Sequence, residues 1–172
     1  MTHLADEVAS QPACWRRAAA LAGQHAGLLP APGERVAVVG CGTSWFVAAA
    51  YAGLRERSGA GETDAFAASE APIERAYDRV LAISRSGTTS EVLDLLGRLR
   101  GRVPTTAVTA DPATPVMAAA DEVVVLEFAD EQSVVQTRFA TSTLALLRAS
   151  LGQDLAPAVA DAERALAAAP DP

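Results

Sequence analysis

At 172 residues, half of them apolar, the chain is long enough for one domain with a well-buried core. It is acidic, with a formal net charge of −7 and 14 arginines as its only fixed side-chain cations; contact with nucleic acid depends on basic clusters, none is visible, and nucleic acid is not expected as a partner. No stretch approaches the roughly 20 apolar residues of a membrane span, and the opening Met1-Thr2-His3-Leu4-Ala5-Asp6-Glu7 is not a basic leader, so the expectation is a cytoplasmic protein with no membrane partner.

In chain order, residues 4–29 read as one or two helices interrupted around Gln11-Pro12. The apolar run 36–39 reads as a strand, ends in Gly40-Cys41-Gly42-Thr43-Ser44, and leads into helical spacing over 44–58. Residues 63–67 are a weaker strand candidate. The run 80–83 is a strand that enters a hydroxyl-rich turn, and 89–100 then reads as a helix. Runs 105–109 and 123–126 complete the strands, while 131–151 and 154–169 read as helices. Strands of four or five mostly aliphatic residues alternating with helices predict an α/β fold: a three-layer α/β/α sandwich with a central parallel sheet of about five strands. The ending Ala169-Pro170-Asp171-Pro172 reads as a connecting segment at a domain boundary. The division expected is a helical segment over 1–30, the main domain over 31–153, and a helix and connector over 154–172 that leads to a second domain.

The segment Ser84-Arg85-Ser86-Gly87-Thr88-Thr89 has the layout of an anion cradle. A loop at a helix N-terminus exposes unpaired backbone N–H groups and the positive end of the helix dipole. Ser84, Ser86, Thr88 and Thr89 add side-chain donors, and Gly87 lets the backbone turn tightly, so a phosphate can be held without lysine. The Gly40-Cys41-Gly42 turn invites a dinucleotide reading, but Phe46 and Val47 lie where the third glycine of that fingerprint belongs. Thr43 and Ser44 instead put hydroxyls at a helix start, where they can cap it or hold an anion. Two hydroxyl-rich turns at equivalent strand ends favour one shared pocket. Cys14 and Cys41 lack metal-ligand spacing and read as reduced thiols, with no metal implied.

Cys41-Gly42-Thr43-Ser44, Ala68-Ser69-Glu70, the 84–89 turn and Glu131-Gln132-Ser133-Val134-Val135-Gln136-Thr137-Arg138, together with the opening Glu7-Val8-Ala9-Ser10-Gln11-Pro12, resemble the sugar isomerase, or SIS, domain. This is the flavodoxin-like, phosphosugar-binding fold of the isomerase half of glucosamine-6-phosphate synthase and of related ketose-aldose isomerases. The likeness runs over residues 4–151. It implies that Ser84, Ser86 and Thr89 bind phosphate, that Ser44 and the Arg85 position contact phosphate or sugar, and that Val134 and Gln136, at the start of the helix after the last strand, border the sugar. Arg85 stands where the synthase commonly has glutamine; its guanidinium can pair with phosphate or form a surface salt bridge. Gln136 and Arg138 replace the serine and lysine of the synthase pattern. Glu70 and Glu131 can face the pocket or serve helix dipoles, and Trp15, Trp45 and Phe46 read as core or interface.

Aldose-ketose interconversion needs a base that moves a proton between C1 and C2, and the only histidines, His3 and His25, lie in the N-terminal helices. The resemblance implies that synthase-type enzymes carry two SIS subdomains, with the base from the second, and one is present here. One reading is a sugar-phosphate isomerase, or an aminosugar-phosphate isomerase-deaminase, completed by a second half or a homodimer. The other is a non-catalytic module that holds a phosphosugar; the lack of a basic segment before the domain argues against a regulator. A nucleotide-binding Rossmann domain ranks below both. No organic cofactor is implied, and a homodimer through the N-terminal helix and the helix after Glu131 is expected.

Overall fold

Five short aliphatic runs pair in one parallel sheet in the computed structural model, which describes residues 3–72 and 74–168. The strands are β1 (Val36–Gly40), β2 (Thr63–Ala67), β3 (Arg79–Ile83), β4 (Thr105–Thr109) and β5 (Glu122–Val125), in spatial order β2-β1-β3-β4-β5. Because successive side chains on a strand face opposite ways, each strand feeds two cores. Val36 and Val38 of β1 with Leu81 and Ile83 of β3 face one layer, and Ala37, Val39, Val80 and Ala82 face the other.

The first layer holds α1 (His3–Gln24), α2 (Thr43–Arg57) and α5 (Arg138–Ser150), through Ala18, Tyr51, Phe139 and Leu146 among others. The second holds α3 (Ser90–Leu99) and the short α4 (Val116–Ala119), through Val92, Leu95, Leu96 and Val116. Helix α6 (Ala156–Ala168) lies against α1, with Leu155 and Val159 buried. The fold is a three-layer α/β/α sandwich. Among the described residues no helix is long and apolar enough to cross a membrane.

Two helix boundaries differ from the sequence expectation. Helix α1 runs without interruption through Pro12, whose ring is buried, so packing of the apolar face outweighs the missing N–H; it ends at Gln24, and between Gly23 and Gly27 the chain relaxes into a turn closed by bonds to the His25 carbonyl. The segment expected to be helical from residue 131 is a loop as far as Thr137, because the Glu131 carboxylate, and not a continuing helix, satisfies the first N–H groups of α5. The expected connecting segment 169–172 lies outside the described residues.

The chain turns from β1 into α2 so closely that a Cβ on Gly40 would stand 2.8 Å from the main-chain carbon of Ser44. Gly40→Ala is expected to destabilise the domain by about 1–3 kcal/mol in urea unfolding. Gly97→Ala, on the open side of α3 where nothing lies within 4 Å of the added carbon, is expected to stabilise it by about 0.5–1 kcal/mol. Equal effects of the two would refute the close approach.

Candidate functional site

β1 is the strand from which the chain departs both ways, to β2 on one side and to β3 on the other. A crevice therefore opens at the carboxyl ends of β1 and β3, the place where open α/β sheets receive ligands. Gly40 and Ile83 are register partners, so the turns that follow them leave the sheet side by side. Thr43 is exposed and Ser44 buried in the first turn of α2, which Gly42 reaches with φ +55°.

The turn after β3 is held from below by three main-chain bonds. Ser84 N donates to the Val108 carbonyl (3.0 Å), Ala110 N to that of Arg85 (3.0 Å), and Val116 N to that of Gly87 (3.1 Å). Gly87 has φ +63°, and a Cβ there would meet Thr114 Oγ1. Above these anchors the hydroxyls converge. Ser84 and Thr89 share a hydrogen bond of 3.2 Å, and Ser86 Oγ accepts from both Thr88 N (3.3 Å) and Thr88 Oγ1 (3.0 Å). At the head of α3 the N–H groups of Thr89, Ser90 and Glu91 have no acceptor among the described residues, and Thr89 makes no side-chain cap. Unpaired donors with the positive end of a ten-residue helix behind them are set for an anion.

Arg85 turns away from this cluster. Its Nη1 donates to the Glu131 carbonyl (2.5 Å) and pairs with Asp130 (3.2 Å), joining the β3 turn to the loop after β5. In that loop Glu131 is 2% exposed; its Oε2 accepts from Thr137 N (2.7 Å), Thr137 Oγ1 (3.0 Å) and Arg138 N (3.0 Å), while Oε1 has no partner. Gln136 is half-buried with its Oε1 also unpartnered, and Val134 is fully exposed. Glu70 closes a one-turn 3-10 helix after β2 and is exposed. The structure thus sets Thr43, Ser44, Ser84, Ser86 and Thr89 in the two turns at the switch point, Glu131, Val134 and Gln136 in the loop after β5, and Arg85 as the link from the β3 turn to that loop.

Glu7, which in the sequence belongs only to the opening stretch 7–12, has a defined place in the fold. It is 3% exposed on α1, and its Oε1 accepts from Gln132 N (2.6 Å) and Ser133 N (3.2 Å). Burial opposes its ionisation, but bonds from Ser133 and Gln132 and the charge of Arg138 outweigh this and hold the carboxyl below its ordinary value. Arg138 donates to the Asp130 carbonyl through Nε and Nη2 and to Ser10 Oγ through Nη1. Nothing in spacing alone pairs residues so far apart. Burial pushes the Cys41 thiol up, and Glu91 adds to this against an opposing bond from Ala68, which disfavours a thiolate beside the site. Both cysteines are free.

No family model matches the sequence, and no curated protein matches it. Solved structures do. Tagatose-6-phosphate ketose/aldose isomerase from Escherichia coli aligns with a TM-score of 0.78 at 18% identity, over 96% of this chain and 53% of that one. The Vibrio vulnificus NanR protein complexed with ManNAc-6P aligns at 0.62 and 20%, over 95% and 65%. E. coli CFT073 c3406 in complex with A5P aligns at 0.63 and 19%, over 96% and 90%. The chain has the SIS fold. It spans about half the length of several SIS-fold chains that it matches. Within this fold β2 ends in Phe66-Ala67, so no acidic residue closes the second strand as a dinucleotide site would need.

A carboxyl whose folded-state pKa is depressed keeps its partners above the ordinary range and loses them as pH falls through the lowered value. The amide signals of Gln132 and Ser133 are therefore expected to titrate with a midpoint below 4.5, the ordinary glutamate value. An NMR titration with a midpoint at or above 4.5 would show that Glu7 does not hold the loop as an anion.

Proposed function

We propose that this chain binds a sugar phosphate, with the phosphate on the turn from Ser84 to Thr89 and the sugar toward the 131–137 loop. The observation that carries the reading is the set of unpaired N–H groups of Thr89, Ser90 and Glu91, ringed by Ser84, Ser86 and Thr89 hydroxyls at the switch point. Thr43 and Ser44 open the helix that follows β1 at the same end of the sheet. Arg85, already engaged with Asp130, acts by holding the two loops together. Support for a phosphosugar comes from structural neighbours complexed with ManNAc-6P and A5P.

We further propose that the domain serves a ketose-aldose isomerase, or an isomerase-deaminase, whose proton-moving base comes from a second domain or a second copy of the chain. His25 supports this in part, since it follows the far end of a helix about 33 Å long whose near end carries Glu7 against the 131–137 loop. His25 is thereby remote from the switch point. A binding module without turnover is the second reading, favoured by the neighbour that holds ManNAc-6P and by the lack of a histidine in the 84–89 turn. The chemistry proposed uses side chains alone, without metal or organic cofactor, in a cytoplasmic homodimer.

Calorimetric titration with fructose 6-phosphate, glucosamine 6-phosphate and inorganic phosphate, with turnover scored in the same samples, tests these readings. Turnover would put the base within this chain or its dimer, binding without turnover supports a phosphosugar site that lacks a catalytic half, and no binding counts against the phosphosugar reading itself. Ser86→Ala removes the hydroxyl on which Thr88 folds back, and is expected to weaken phosphate binding by about 1–3 kcal/mol; unchanged affinity would remove Ser86 from the site. Light scattering at high protein concentration is expected to give twice the 17.7 kDa chain mass, and a monomer would overturn the dimer.

A further inference from the structure

The 131–137 loop has no regular secondary structure, yet buried carboxylates hold it at both ends. Glu131 binds its C-terminal end through Thr137 and Arg138, and Glu7, 125 residues earlier, binds its N-terminal end through Gln132 and Ser133. Helix α1 does not need Glu7 to stay in place. Trp15 Nε1 donates to Thr141 Oγ1 (2.8 Å), Thr141 Oγ1 bonds Gln11 Oε1 (2.8 Å), Arg138 reaches Ser10, and Ala18 and Ala22 sit in the core. A buried, ionised carboxylate with one oxygen unpartnered is costly to keep for packing alone. Its one evident effect is to fix two consecutive main-chain N–H groups immediately before Val134.

The 84–89 turn is anchored differently. Its three main-chain bonds run to β4, to the residue after β4 and to α4, and none to α1. Its one link to the loop, Arg85, ends on Asp130 and the Glu131 carbonyl, ahead of the segment that Glu7 holds.

We propose that Glu7 is a positioning residue for the sugar half of the site: by fixing Gln132 and Ser133 it sets how Val134 and Gln136 are presented, while the phosphate half is independent of it. This rests on the phosphosugar reading above. It assigns recognition of handle and sugar to two separately anchored pieces of the fold.

The full chain and its Glu7→Ala and Glu7→Gln variants would be titrated with fructose 6-phosphate, glucosamine 6-phosphate and inorganic phosphate, with thermal melts as a check of folding. Glu7→Ala is expected to lose about tenfold in affinity for the sugar phosphates and to leave inorganic phosphate unchanged. Glu7→Gln, which keeps an acceptor in place, should recover part of the loss, and it carries the test if the alanine variant does not fold. Equal losses for all three ligands would make Glu7 a general structural residue, and no loss would make it irrelevant; either overturns the proposal while the phosphosugar reading stands. A wild-type chain that prefers neither sugar phosphate over inorganic phosphate overturns that reading and this proposal together.

Discussion

The parallel register that sets Gly40 opposite Ile83 is the constraint on which the site depends. Parallel pairing sends every strand out of the sheet at the same end, and the order β2-β1-β3-β4-β5 makes the chain diverge to either side of β1. The two hydroxyl-rich turns are thereby brought to one crevice although some forty residues separate them in sequence. Slippage by one residue would invert both faces of the affected strand, moving Val38 or Ile83 from the layer that contains Tyr51 and Phe139 into the other. The two-sided apolar character of β1, β3 and β4 therefore secures the placement of the site as well as the core.

The ends of the sheet are finished by buried charges of opposite sign, each matched to the backbone groups that remain unpaired there. Near the amino ends of β1 and β2, Arg55 is fully buried and donates to the carbonyls of Ala31 (2.6 Å) and Glu34 (2.9 Å) and to Thr63 Oγ1 (2.8 Å). At the carboxyl end of the sheet, Glu7 and Glu131 accept from the N–H groups of Gln132, Ser133, Thr137 and Arg138. Backbone groups left unsatisfied in the interior are costly, and each of these charges takes up several of them. The 84–89 turn breaks the pattern, since its free N–H groups have no internal anion. That exception is the observation on which the proposed anion site rests.

The strands and layers were legible because five short apolar runs at helical intervals admit few folds, and even the weak run 63–67 was recovered as the edge strand β2. An edge strand buries less, so its composition is weaker. The start of α5 was not legible. Residues 131–137 carry enough apolar and helix-compatible side chains to pass for a helix, and only the folded position of the Glu131 carboxylate shows that the helix is capped at Arg138 from outside. The hydroxyl cluster could be named from sequence because all its members are local to one turn. The salt bridge of Arg85 was one of two roles open to it, but its partners, and the role of Glu7, could not be read, since both depend on residues more than forty positions away.

Trp45 and Phe46 bear on what completes the site. The buried face of α2 is formed by Ser44, Val47, Ala48, Tyr51, Ala52 and Arg55, so helical geometry turns Phe46 outward, and it is 66% exposed with Trp45 beside it at a ring separation of 5.0 Å. These two rings are not part of the core. They stand in the turn of α2 that follows Ser44, at the same end of the sheet as the exposed Val134 and Val135. Large apolar groups left exposed at that end of the sheet favour a covering surface over open solvent. A surface that needs covering at the end of the sheet where the two hydroxyl-rich turns lie is the observation in this domain that accords with the proposal of a proton-moving group from outside it.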